Sequence, residues 1–335
     1  MLEVSWLKVR SGKMAPSSAR WLTSEAVSKP TSTPKGHNAS RWADLLERNQ
    51  AMYQHKYFKL RLHDNVELEE ILRAKIAERR TLHEWPLSCV EQVVTNEGSK
   101  WVYKSQFGPM VEPQFHANAK SKLLVAGKTL YQSESGFVNM LFEFIEGSRI
   151  EDLNLSDNAI VAPWSQISPS IAKIEGKPPY YHDISQKKLW QELMETMLEN
   201  LETLVFQGSF QTVDQMALRK LRTWAFREEV VAALGKNIGF VHNDLSSDNI
   251  FVMPDGYRII DWQRPIIGPK ELDLATLLDS LNRDTTGFVD QSIVWIMCLL
   301  RIEWFTECAV RWFPEGQASY DRSIHRLINL VGKSA

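Results

Sequence analysis

The segment Phe240–Gln263, FVHNDLSSDNIFVMPDGYRIIDWQ, limits the possible folds of this chain more than any other stretch. Phe240-Val241 and Ile250 to Met253 are short apolar runs, Pro254-Asp255-Gly256 is a strong turn signal, and Tyr257 to Ile260 reads as a returning strand. The predicted unit is a β-hairpin. With the turn centred on Asp255-Gly256, antiparallel pairing sets Asn249 and Asp261 opposite each other to within one residue, at the open end. Asp244 precedes Asn249 on a polar loop and reaches the same space. Two carboxylates and an amide oxygen would then surround one point. Hard oxygen ligands of this kind suit Mg²⁺, which keeps several waters and shares its coordination with substrate phosphates.

His242, Asp244, Asn249 and Asp261 follow the spacing His-x-Asp-x-x-x-x-Asn, hairpin, Asp, which is the catalytic pattern of protein-kinase-like phosphotransferases. The loop here reads His242-Asn243-Asp244, and the second motif is Ile260-Asp261-Trp262 rather than Asp-Phe-Gly. On these motifs the chain resembles the aminoglycoside phosphotransferase and choline kinase superfamily of small-molecule kinases. His-Asn-Asp looks like the choline kinase version and Ile-Asp-Trp like the aminoglycoside phosphotransferase version. The resemblance runs from about Leu87 to the C-terminus.

The resemblance implies an α+β, bilobal, protein-kinase-like fold with a small antiparallel-sheet N-terminal lobe and a larger, mainly helical C-terminal lobe. It also implies ATP as co-substrate and Mg²⁺ as cofactor. Asp244 would be the catalytic base that orients the acceptor hydroxyl, and Asn249 with Asp261 would hold the metal against the phosphates. His242 is read as structural support of the loop, and Asp248 as an exposed loop carboxylate. Ser246-Ser247 stand where relatives often carry His-Pro or Lys-Pro. Asp273 in Gly268 to Ala275 either braces the catalytic loop, as the family's Asp-Leu-Ala element does, or caps a helix over Leu274 to Leu281.

The chain is expected to divide into a flexible tail over 1–40, a nucleotide-binding lobe with a leading helix over 41–147, and a helical lobe with the acceptor site over 148–335. Val66 to Arg80 reads as an amphipathic helix packed on the small lobe. Strands follow at Val90 to Val94 and Trp101 to Lys104, then a helical piece around Pro113 to Ser121, then strands at Lys128 to Gln132 and Phe137 to Ile145. That order places Lys104 where the superfamily has its phosphate-contacting lysine, with Glu112 in a first helical turn as its acidic partner. Backbone groups of Glu143 and Ile145 would meet the adenine edge, with Gly147 ending the linker flexibly. Where relatives carry glycine- or serine-rich turns, this chain has Trp85-Pro86-Leu87-Ser88-Cys89-Val90 without glycine, leaving Ser88 as the hydroxyl donor to phosphate.

After Glu151 everything except the catalytic hairpin is expected to be helical, with helices at Ile184 to Phe206 and Val213 to Leu234 and a buried one carrying Ile293, Ile296 and Leu300. Acceptor recognition should lie in this region. Asp290, Glu303 and Glu307 would attract a cation and Trp304 or Trp312 would add cation–π contact, against a competing reading of sugar or another hydroxylated metabolite.

Composition agrees with a globular enzyme. The 335 residues are 44% hydrophobic and 24% charged with net charge −2, so nothing favours nucleic acid as a partner. Cys89, Cys298 and Cys308 lack metal-ligand spacing and read as reduced thiols. The apolar run Ile293 to Leu300 is too short to span a bilayer, and the cytoplasm is the expected compartment. Ser11 to Ser40 has Glu25 as its only acid and reads as a flexible tail or a transit-type presequence. Against the small-molecule kinase stands a nucleotide-binding pseudokinase or assembly factor that lost turnover with its glycine loop. A protein kinase is disfavoured, because Asp261 to Asp273 leaves no room for a long activation segment.

Overall fold

The computed structural model describes residues 52–333 except residue 154. The expected tail over 1–40 lies outside the described residues. Helix α1, Asn65–Leu72, starts in a capping box: the Asp64 carboxylate accepts from the Glu67 amide at 2.8 Å, and the Glu67 carboxylate accepts from the Asp64 amide at 3.1 Å. It stops where Arg73 turns left-handed at φ +55°. The helix expected over Val66 to Arg80 is therefore half strand: β1 covers Ile76–Trp85. Most of β1 faces solvent at a sheet edge, and a charged edge strand carries no clean two-residue alternation to betray it.

Strands β2 (Ser88–Thr95), β3 (Lys100–Phe107), β4 (Gly127–Gln132) and β5 (Phe137–Glu143) complete a five-stranded antiparallel sheet in the order β1-β2-β3-β5-β4. Helix α2, Glu112–Asn118, crosses between β3 and β4. One face of the sheet is covered by the preceding chain, with Leu60, Leu62 and Leu68 packed on Val93, Tyr103 and Leu141. The Tyr103 hydroxyl joins this layer together. It accepts from the His63 amide at 2.8 Å and from the Asn139 side-chain amide at 2.7 Å, and donates to His63 Nδ1 at 3.0 Å, a ring that burial holds neutral by lowering its pKa to about 4. Lys104, next along β3, points to the opposite face, toward the second lobe.

The chain crosses over through residues 144–147 into the short strand β6, Ser148–Arg149. Gly147 is not a flexible end. A Cβ there would meet Met253 Sδ at 2.6 Å and the Val252 carbonyl at 2.9 Å, so glycine serves close backbone approach where β6 pairs with the hairpin strand Ile250–Met253.

The second lobe holds helices α3 (Asp157–Ile171), α4 (Lys187–Phe206), α5 (Gln215–Ala225), α6 (Glu228–Leu234), α7 (Glu271–Ser280), α8 (Gln291–Glu307) and α9 (Gln317–Lys333). The helix expected over Val213 to Leu234 is two helices broken at Phe226-Arg227, a break hidden in the sequence because the apolar spacing continues across it. The hairpin is also not the only β-structure in this lobe. Strands β7 (His182–Asp183) and β8 (Ile238–Val241) flank β11 (Ile266–Pro269) in one sheet, and β6 adds a third strand to the hairpin of β9 (Ile250–Met253) and β10 (Gly256–Ile259). The main core joins α4, α5, α6, α8 and α9 through Trp190, Leu198, Leu221, Val230, Ile296 and Ile324. A second cluster, containing Phe115, Ile160, Leu245, Ile259, Trp262 and Leu277, forms the platform under the hairpin.

Candidate active site

The hairpin pairs Ile250 with Ile259, so Asn249 lies opposite Ile260, one residue from Asp261. The Ile260 amide donates to the Asn249 carbonyl at 3.1 Å and closes the open end. The loop leading in is held by one carboxylate. Asp273, 1% exposed, accepts from the His242 amide on one oxygen and the Asn243 amide on the other, both at 2.9 Å. It lies inside the first turn of α7 and is not a helix cap. Burial pushes the Asp273 carboxyl up to about 7 while the two amides pull it back. His242 is neutral, its pKa lowered to about 4 by burial. Its Nε2–H donates to the Ile260 carbonyl at 3.0 Å and Nδ1 accepts from the Asp244 amide at 3.3 Å. The ring packs edge-on against Trp262, which stacks on Phe115 of α2 at 4.5 Å.

Three side chains converge on the space above this platform. Asn249 donates its amide to the Asp244 carbonyl at 2.9 Å, which fixes the side chain and leaves Oδ1 available. Asp261, at φ +69°, accepts on Oδ1 from Lys104 Nζ and Gln263 Nε2, both at 2.6 Å, leaving Oδ2 available. Burial raises its pKa, but the Lys104 ammonium and these hydrogen bonds outweigh it and hold the carboxyl below its ordinary range. The Asp244 carboxylate has no such cationic partner among the described residues. Burial and the neighbouring Asp261 push it up to about 6, with Arg264 opposing.

Lys104 links the lobes. Its ammonium lies 2.6 Å from Glu112 Oε2 as well as 2.6 Å from Asp261. Glu112 does sit in the first turn of α2, before Pro113, and reaches the lysine from there. The two carboxylates raise the Lys104 pKa against the opposing effect of burial. Gln106, two residues on, donates to the same Glu112 oxygen at 2.9 Å. Ser88 is buried at the start of β2, opposite Gln106. The Glu143 amide is spent on the Ala126 carbonyl at 3.0 Å, whereas the Ile145 amide, in the crossing segment, makes no hydrogen bond among the described residues. Asp248 is half-buried rather than exposed and accepts from the Ser246 hydroxyl.

A cavity of about 680 Å³ lies between Tyr181 with the start of β7 at His182, α4 with Leu193 and Met197, and the end of α8 with Glu303 and Glu307. Arg264 is within electrostatic reach of both Asp244 and the cavity's Glu303. Its guanidinium lies 3.4 Å above the centre of the Trp304 ring and lowers the pKa of both Asp244 and Glu303. Burial and Glu307 nevertheless push Glu303 up to about 7. Of the residues expected to recognise a cation, only Glu303 and Glu307 line the cavity. Asp290 caps α8 by accepting from the Ser292 amide at 2.9 Å. Arg264 occupies a face of Trp304, and Trp312 packs against Phe107 at 5.7 Å. Arg264, Gln106 and Gln263 carry no sequence signal of their own, since single polar residues near a strand end or in a bend are ordinarily solvated.

With the geometry in place, a profile of the phosphotransferase enzyme family matches residues 119–294, more than half of the chain, and the protein belongs to that family. Solved structures share the fold. A thermostable mutant of aminoglycoside phosphotransferase APH(4)-Ia, in ternary complex with ADP and hygromycin B, has 13% identity and TM-score 0.54 over 81% of this chain and 98% of that one. A choline/ethanolamine kinase family protein from Mesorhizobium loti has 12% identity and TM-score 0.53 over 76% and 88%. A mutant aminoglycoside 2'-phosphotransferase-IIIa in complex with GDP has 13% identity and TM-score 0.54 over 80% and 98%. No curated protein matches in sequence. At these identities the likeness is one of fold, and the fold is the bilobal, protein-kinase-like one. The chain is a small-molecule phosphotransferase by family.

The Asp273 carboxylate gives the first test of this construction. Asp273→Ala leaves two buried amides unpaired and should cost about 2–4 kcal/mol, with Asp273→Asn losing less because one acceptor survives. Urea denaturation monitored by tryptophan fluorescence reads both.

Proposed function

We propose that this chain transfers the γ-phosphoryl group of ATP to a hydroxyl of a small, amine-bearing molecule. The observation that carries the proposal is the ionic chain Glu112–Lys104–Asp261 between the lobes, with Asn249 tied to the Asp244 backbone and the Asp244 carboxyl within the field of Asp261. Phosphoryl transfer asks little of a protein beyond positioning and charge neutralisation, and this set supplies both. Asp244 would accept the proton of the attacking hydroxyl, poised by the burial that raises its pKa toward the working range. Lys104 would exchange its contact with Asp261 for the nucleotide phosphates while Glu112 keeps hold of it. Asn249 Oδ1 and Asp261 Oδ2 are the two oxygens available to hold Mg²⁺. Two protein ligands fit an ion that takes the rest of its shell from phosphate and water, where it would neutralise phosphate charge. The Ile145 amide would meet the adenine edge.

For the acceptor, Glu303 is the informative group. It has no hydrogen-bond partner among the described residues, it lines the cavity, and it lies within the field of Arg264, which also reaches Asp244. An ammonium carrying N–H donors would pair with it, while Leu193 and Met197 on the facing wall suit a hydrocarbon body. A quaternary ammonium is less well served, because the Trp304 face it would use already carries Arg264.

The second reading, nucleotide binding without turnover, is favoured by the Lys104–Asp261 contact, which occupies one of the two Asp261 oxygens. Acceptor-dependent ADP release from Mg·ATP, with a pool of amino alcohols and amino sugars, separates the two. The enzyme reading predicts release; binding with no release by any acceptor would sink it.

Two outcomes follow for variants. Asp244→Asn should lower transfer by about a thousandfold at an unchanged melting temperature. In the unsubstituted protein Asp244 must be ionised to act, so kcat/KM for the acceptor should fall as pH drops through about 6. A flat profile down to pH 5 rejects Asp244 as base. Glu303→Gln should raise the acceptor KM about tenfold with a smaller effect on kcat, as expected for loss of one charge-assisted hydrogen bond. An unchanged KM would move the acceptor elsewhere.

A further inference from the structure

The turn between β1 and β2 is built unlike a flexible phosphate-covering loop. Trp85 pairs with Ser88 across the two residues Pro86-Leu87. Neither has a positive φ, and Pro86 fixes its own, so the tip is stiff where glycine would make it pliant. Ser88 lies opposite Gln106 on β3, two residues beyond Lys104, which puts the tip at the end of the sheet where nucleotide phosphates would lie.

This tip is not free. Leu87 is 5% exposed and belongs to the main core of the helical lobe, not to the core of its own sheet. Its carbonyl accepts from the Phe107 amide at 2.9 Å, tying the tip to the end of β3. Phe107 meets Trp312 edge to face at 5.7 Å, and a Cβ on Gly108 would lie 3.9 Å from the same indole. Trp85, Phe107, Trp312 and Phe313 all pack, partly buried, on the same core that holds Leu87. The contact is also incomplete, because Trp312 Nε1 is buried without a hydrogen-bond partner. A docked state that leaves a donor unpaired holds less firmly than its apolar area alone would give.

We propose that the Leu87 tip and the Trp312-Phe313 shelf form an interlobe clasp that closes the phosphate end of the cleft and must part before Mg·nucleotide is admitted. The proposal rests on the nucleotide-binding reading given above. In this chain closure comes from side-chain packing between lobes, where a glycine loop would close on the phosphates through its own amides. Admission and release of nucleotide are then limited by how often the apolar contact breaks.

Amide hydrogen exchange over residues 85–108, together with stopped-flow binding of Mg·N-methylanthraniloyl-ATP, tests the clasp in the full chain. Trp312→Ala should speed exchange at the tip about tenfold and nucleotide association about fivefold, and Leu87→Ser, altered on the other side of the contact, should do the same. Thermal melting confirms that at least one variant is folded. Tip exchange unchanged in a folded variant overturns the clasp. Faster tip exchange with unchanged association shows docking without gating and overturns it too. Failure of wild type and variants alike to bind nucleotide overturns the nucleotide reading and the gate with it, while the exchange data still report whether the lobes are clasped.

Discussion

The pairing of Ile250 with Ile259 across the Pro254-Asp255 turn is the constraint on which the site depends. A slip of one residue would turn Asp261 from the cleft toward the apolar platform and carry Ile260 into its place, since alternate residues of a strand face opposite ways. The platform makes that slip costly. Ile250, Ile259 and Trp262 are fully buried, and Trp262 is held by Phe115 on one side and the His242 ring on the other. The register that buries these side chains also gathers the oxygens above them.

Charge then decides what the gathered groups can do. Asp261 and Asp244 are close enough to disturb each other, and their environments separate them: Lys104 and Gln263 hold Asp261 ionised, while Asp244 lacks such a partner and rises to about 6. Two carboxylates driven apart in this way can serve as ligand and base at one pH. Arg264 extends the arrangement outward, a cation that opposes the upward shift of both Asp244 and the cavity's Glu303. Buried ion pairs of this sort contribute little net stability, so their value lies in position.

Much of this was legible in the sequence because it is local. The hairpin announces itself through two short apolar runs around a proline-glycine turn, and the spacing of His242, Asp244, Asn249 and Asp261 follows from it. Lys104 and Glu112 were legible through the order of strand and helix. What escaped depends on contacts between distant residues. Strand β1 is mostly exposed and charged, so its helical period was a coincidence of surface residues. The roles of Arg264 and Gln106 come only from what they meet in space. Trp304 and Trp312 carried the right chemistry for a cation, but one is stacked by Arg264 and the other spent on the lobe contact. Gly147 was read as flexibility and is a steric requirement.

The most direct test of the central claim is calorimetric titration of ATP with and without Mg²⁺, on the wild-type chain and on Asp261→Asn. If the hairpin gathers Asn249 and Asp261 to hold a metal against phosphate, chelating Mg²⁺ should weaken wild-type affinity about tenfold, and the variant should lose that response. Wild-type affinity indifferent to Mg²⁺, or a variant that keeps the full response, would contradict the account.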